Sequence, residues 1–278
     1  MEKEEIYQHL NACIEANDYG RWNKFRRVNA LNQIDCGSLD LSNKILTNFN
    51  LTGVNFNKAN LSQVNFDKCI LNNARITESE CFGAHFIGCS MVAMECTKTN
   101  LAMAKFEKCD IRFSNFSESK IHQVCMYECQ VNNSNFKNTS FNDTTLRNSD
   151  FHFSDISSAE FSKVELHDAN FEAAIVDGKT IIWDCYYNKM TNFTGVGLSS
   201  CRVEPVLMSS FQCNIRRIWW NQWYVEKMND NKVNFKFDIR DLWGNIKNIT
   251  KYIFNALMTS IVKLFWWMTD YGSSTVRL

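Results

Sequence analysis

The chain is short of the residues that punctuate turns. One proline and ten glycines in 278 residues weigh against a fold of many tight hairpins, which draw on both at their corners. Net charge is absent too: thirty basic and thirty acidic side chains cancel, so the whole-chain balance points to no partner. The N-terminus, MEKEEIYQHLNACIEAND, has no apolar core of the kind a secretory signal peptide carries. An uncleaved, non-hydrophobic export signal of the type used by bacterial injection systems is compatible with it. Catalytic signatures are missing as well. His9, His85, His122, His152 and His167 share no metal-ligand spacing, and there is no HExxH, GxSxG, CxxC or phosphate-cradling glycine loop. The expectation is a non-enzyme with no cofactor, metal or catalytic residues.

What the chain does have is a period of five. From Leu41 to Ile181 every fifth residue is apolar, 29 positions without exception, ten of them Phe and eight Leu. At 45% hydrophobic content such a run has a chance probability on the order of 10⁻¹⁰. Two residues before each centre the side chain is usually small, as at Ala59, Ala84, Ser114, Ser134 and Ala169; one before, Asn or Asp is frequent. Lys44, Phe49, Met94 and Lys179 depart from the small pattern. Five matches neither the helical 3.6 nor the strand 2, but it suits a chain that turns a corner every five residues, small and large residues inward and polar ones outward. The beat slips after Ile181, where IIWDCYYNKM reads as an insertion over 182–190 of no assigned role. It resumes, shifted by two, at Phe193, Leu198 and Val203 until Pro205.

The motifs ANLSQ, SNFSE, SDISS and ANFEA resemble the pentapeptide-repeat family. That resemblance covers about residues 31–204 and implies a mainly β fold: a right-handed quadrilateral parallel β-helix with four pentapeptides to each coil. Coils about 4.8 Å apart would make a rod of about eight coils, roughly 40 Å long. Phe66, Phe86 and Phe106, then Phe116 and Phe136, then Phe141 and Phe161, would stack as ladders.

Cys69, Cys89, Cys109 and Cys129 recur every twenty residues, one coil apart, in the small inward slot that Ser149 and Ala169 continue. Neighbouring Cα atoms near 4.8 Å would permit a disulfide, and a metal would need ligands converging on a point rather than forming a line. Twelve cysteines without an export signal imply reduced thiols, so the column is assigned to packing, cysteine acting as a small hydrophobe.

The flanks differ from the repeat. Residues 1–30 carry helical spacing at Ile6, Leu10, Cys13 and Ile14 and are expected to be an N-terminal helical cap over an open sheet edge. Residues 205–278 are expected to be a Trp-rich, basic, amphipathic helical tail. Ile246, Ile249, Ile253, Leu257, Ile261, Leu264 and Met268 follow helical spacing. The uncharged run 252–262 is too short to span a bilayer. Three roles stay open for the tail: capping the rod, forming a helical domain or homodimer interface, or lying on a membrane through 245–278. Its candidate membrane or partner contacts are Trp219, Trp220, Trp223, Trp266, Trp267 and Lys263.

The resemblance orders the functions. The first is an interaction scaffold with an unidentified protein partner, since family members occur among effectors that enteric bacteria inject into host cells, some with a HECT-like ligase module for which this chain has no room. Such a protein would work in the bacterial cytoplasm or in the host cytosol, with membrane attachment through its tail. The second is a DNA mimic acting on DNA gyrase, the quinolone-protecting type. Residues 31–200 hold 19 acidic and 14 basic groups, a thin negative field for such mimicry. The third is a peripheral membrane protein with the rod as spacer. Direct nucleic-acid binding is not expected.

Overall fold

The computed structural model describes residues 3–203 except 32, 33 and 189. Two helices, α1 (Lys3–Glu15) and α2 (Tyr19–Val28), precede a parallel β-solenoid of about eight turns. Each turn has four walls. Up to Asp155↔Ile175 ladder partners lie twenty residues apart, such as Phe66↔Phe86↔Phe106 in the first wall and Ile121↔Phe141↔Phe161 in the fourth. Bridges such as Asp110↔Gln130↔Asp150 in the second and Asn115↔Asn135↔Asp155 in the third complete the square. The centres and the small residues two before them are buried. The Phe columns are stacked, with ring centroids 5.2 Å apart for Phe66–Phe86 and 4.8 Å for Phe86–Phe106.

The shortage of glycine does not limit the corners. Every fifth residue from Ser38 to Ala173, two after each centre, has positive φ, and most are not glycine: Asn43 at 60°, Lys68 at 51°, Phe113 at 61°. Left-handed backbone costs a residue with a Cβ about 1–2 kcal/mol. Stacking offsets it, because up to Phe153 these N–H groups meet carbonyls of the next coil, Lys68 on Ile87 at 2.8 Å and Asn73 on Val92 at 2.9 Å.

At the N-terminal end, α2 supplies donors where a further coil would stand. Inside the rod the Ile70 and Asn72 carbonyls accept from Leu51 and Gly53 N–H groups. One coil earlier, the equivalent Asn50 and Thr52 carbonyls have no such coil beneath them. The Trp22 indole N–H and the Arg26 guanidinium donate to the Asn50 carbonyl at 2.9 and 2.6 Å, and Arg26 also to the Thr52 carbonyl at 2.6 Å. Asn23 accepts the Asn50 N–H at 2.8 Å. Unpaired buried carbonyls are costly, and this local sequence, WNKFR, places all three side chains on the coil. Lys44, in a small slot, pairs with Glu15 of α1.

The frame slip is not where the five-residue count puts it. Ile182, not Ile181, pairs with Phe161, and the strand Ile181–Trp183 continues the fourth wall. Two corners each take one extra residue, at 177–180 and 188–191, instead of one insertion at 182–190. Both close the same way: Asp177 Oδ1 accepts the Lys179 and Thr180 N–H groups at 3.0 and 2.9 Å, as Asn188 Oδ1 accepts those of Met190 and Thr191 at 3.0 and 3.1 Å. Thr180 and Thr191 take the inward slots and donate to Ile156 and Leu166 carbonyls. Lys179 is therefore outside, exposed.

Candidate functional site

Four of the candidate residues share one inward column. Cys69, Cys89, Cys109 and Cys129 are buried free thiols in that column. Each thiol donates to the carbonyl of a centre in the coil before it: Leu46, Phe66, Phe86 and Phe106, at 3.1 to 3.3 Å. Burial pushes Cys69 up to about 12, and the hydrogen bond with Cys129 pushes Cys109 up to about 12. Thiols held this far from ionisation are poor nucleophiles and poor ligands. In the third wall the same slot holds Ser114, Ser134 and Ser154, whose hydroxyls both donate to carbonyls and accept from the backbone of the coil before.

Outward, charges cancel between neighbouring coils. Lys58 pairs with Glu78 at 3.6 Å, Lys98 with Glu118 at 3.8 Å and Lys108 with Glu128 at 3.7 Å. Exposed pairs of this kind contribute little stability. A shallow cavity of about 410 Å³ lies over Glu118, Lys120, His122 and Asn142. Among the described residues no group of His, Cys, Asp or Glu could hold a metal ion.

The second wall differs from the others. Two four-residue segments forty apart, DIRF at 110–113 and DFHF at 150–153, build the same surface unit two coils apart. In each, the first residue is an aspartate on the wall, the third a basic side chain paired with it, and the fourth an exposed phenylalanine at the corner. Arg112 binds Asp110 through both carboxylate oxygens at 2.7 Å, and His152 Nδ1 lies 2.8 Å from Asp150. The hydrogen bond from Arg112 holds the Asp110 carboxyl below the usual carboxylate range. Phe113 and Phe153 are 58% and 57% exposed, with φ of 61° and 57°. The His152 ring stands edge-on to Phe153 at 5.1 Å. The left-handed backbone is shared by every corner from Ser38 to Ala173; what sets these two apart is an aromatic ring held in water, which does not help the fold. Between the two units lie Gln130, Asn132 and Asn133, uncharged and at least partly exposed.

Sequence reasoning missed this pair because it treated phenylalanine as an inward residue. The signal was there: Phe at a position two after the centre, occupied elsewhere in that column by Gly53, Asn73, Ala93, Asn133 and Ala173. Trp219, Trp220, Trp223, Trp266, Trp267 and Lys263 lie outside the described residues.

Five-residue corners and twenty-residue ladders point to one family. The family model described as pentapeptide repeats matches in eight copies, over residues 35–73, 125–162 and 134–172. The chain is a pentapeptide-repeat protein. No curated protein sequence matches this pentapeptide-repeat protein. Among solved structures it is similar to trypsin-treated QnrB1, a plasmid-mediated fluoroquinolone resistance protein, at 14% identity over 65% of this chain and 92% of that one, with a TM-score of 0.38. It is also similar to HetL of the cyanobacterium Nostoc sp. strain PCC 7120, a pentapeptide repeat protein involved in heterocyst differentiation regulation (13% identity, 64% and 94% covered, TM-score 0.28). A pentapeptide repeat protein from the Arabidopsis thaliana thylakoid lumen matches at 20% identity over 48% of this chain and 68% of that one, with a TM-score of 0.13. At such identities the likeness concerns the fold alone.

Proposed function

We propose that this pentapeptide-repeat protein is a non-enzymatic scaffold that docks a protein partner on its second wall. The observation that carries this is the doubled Asp–basic–Phe unit, which exposes two aromatic rings in one column of the rod. Exposed aromatics on a rigid support are the usual anchors of protein interfaces. The inward thiols are buried, and Cys69 and Cys109 are held away from ionisation, so the column offers no competing chemistry. DNA mimicry is disfavoured, because mimicry needs an unbroken negative field and the coils alternate Lys with Glu along a corner. Membrane attachment would rest on residues 245–278, outside the described residues, and among the described residues no helix is long and apolar enough to cross a membrane.

The test places a photo-crosslinking amino acid at Asn133 of the full chain in its native cells. A discrete adduct that disappears in the Phe113→Asn/Phe153→Asn double variant is the expected result. An adduct from Gln123 on the fourth wall, with none from Asn133, would overturn the assignment of the wall.

A further inference from the structure

The partner's chemistry can be narrowed from the same strip. Phe113, Asn133 and Phe153 stand in one column, linked by the Phe113 N–H to the Asn132 carbonyl and the Asn133 N–H to the His152 carbonyl. The two phenylalanines are thus two coil spacings apart, about 9.6 Å at the ordinary interstrand distance. An extended polyproline II chain rises about 3.1 Å per residue with three residues per turn, so every third side chain on one edge recurs at about 9.3 Å. An α-helix turn, at about 5.4 Å, does not fit that interval.

Charge points the same way. Both aspartates are engaged by their own basic neighbours, and Asp150 also accepts from Asn170 at 2.9 Å. What faces outward is two aromatic rings with amide side chains between them, and both carboxylates are taken up in hydrogen bonds within the wall. A single-stranded nucleic acid would also stack on aromatics, but it needs a basic groove along its backbone, and the strip's arginine is already paired. An uncharged, proline-rich segment matches on both counts. Its backbone makes no internal hydrogen bonds, and the exposed Gln130 and Asn133 amides provide donors for its carbonyls. Aromatic-lined surfaces that take proline rings on one edge are a recurring recognition mode.

We propose that the strip from Phe113 to Phe153 binds a proline-rich segment in the polyproline II conformation, prolines three residues apart seated on the two rings. This rests on the docking role proposed above and names the partner class for it.

The experiment titrates the full chain into a fluorescein-labelled decaproline and into an alanine-based peptide with proline at every third position, read by fluorescence anisotropy. A control peptide of the same length carries proline at every fourth position. The expected result is saturable binding of the first two, at least about tenfold tighter than of the control. Phe113→Asn and Phe153→Asn should each weaken it about tenfold. Both variants should keep or raise the melting temperature, since Asn tolerates left-handed backbone better than Phe, so lost binding cannot be blamed on unfolding. Absence of saturable binding, or binding unchanged in the double variant, would overturn the proposal. So would a sedimentation mass of two chains that falls to one in the double variant, because a second copy would then occupy the strip. If the peptides fail while the Asn133 crosslink persists, the docking wall stands and only its ligand class falls.

Discussion

Two inward columns stand side by side in this rod, identical in backbone and different in chemistry. The second wall fills its small slot with Cys69, Cys89, Cys109 and Cys129, the third with Ser114, Ser134 and Ser154. Both donate to carbonyls of the preceding coil, the thiols at 3.1 to 3.3 Å and the hydroxyls at 2.8 to 3.0 Å. The hydroxyls also accept: Ser134 Oγ takes the Ser114 N–H at 3.1 Å. The columns also take Ala74, Ala169 and Ala174, so the slot asks for small size first, and a thiol or hydroxyl there adds a hydrogen bond to the preceding coil.

The largest test of that comparison is overfilling. Ser134→Leu forces a branched chain into a closed column and removes both hydrogen bonds, at a cost of about 3 kcal/mol or more, read as a fall in the urea midpoint. Cys109→Leu, which loses only the weaker hydrogen bonds of sulfur, should cost less, about 1–3 kcal/mol. Equal losses would mean that the hydroxyl's second hydrogen bond contributes nothing.

Alkaline pH should separate the columns next. A thiol with its folded pKa raised holds its proton where the unfolded chain releases it. Its contribution is complete below pH about 9 and lost as pH rises from there towards 12. Cys69 and Cys109, both pushed up to about 12, should each subtract about 1.4 kcal/mol per pH unit above 9. Urea midpoints between pH 8 and 10.5 should fall more steeply for the natural chain than for a Cys69→Ser/Cys109→Ser variant; parallel curves would contradict the thiol shifts.

Ser134→Ala leaves the Ser114 N–H without its acceptor and the Ile111 carbonyl without its donor, a loss of about 1–3 kcal/mol by calorimetry. Smallest is the exchange itself. Cys109→Ser keeps size and donor and should shift stability by less than about 1 kcal/mol, with an unchanged circular dichroism spectrum. A larger loss would show that sulfur's packing, not its hydrogen, is what the column uses.

Much of the rod was legible because inward positions repeat at a fixed interval: Leu46, Phe66, Phe86 and Phe106 announce a wall by their spacing alone. The slip was not. Ile181 and Ile182 are both apolar, so counting cannot choose between them; the ladder to the coil before, Phe161↔Ile182, chooses Ile182. The docking strip escaped for the opposite reason, since Phe113 and Phe153 look like core residues in any hydrophobicity count and only the corner backbone turns them outward.

Sequence by itself determined the period, the coil length and which residues fill the core, because an apolar side chain every fifth place has one way to leave water. Only the tertiary structure decided what the corners and ends do. Where the two extra residues go, how Trp22, Asn23 and Arg26 bond to the first coil, and which aromatics face solvent all depend on hydrogen bonds between residues twenty or more apart. Such pairings exist only once the coils are stacked.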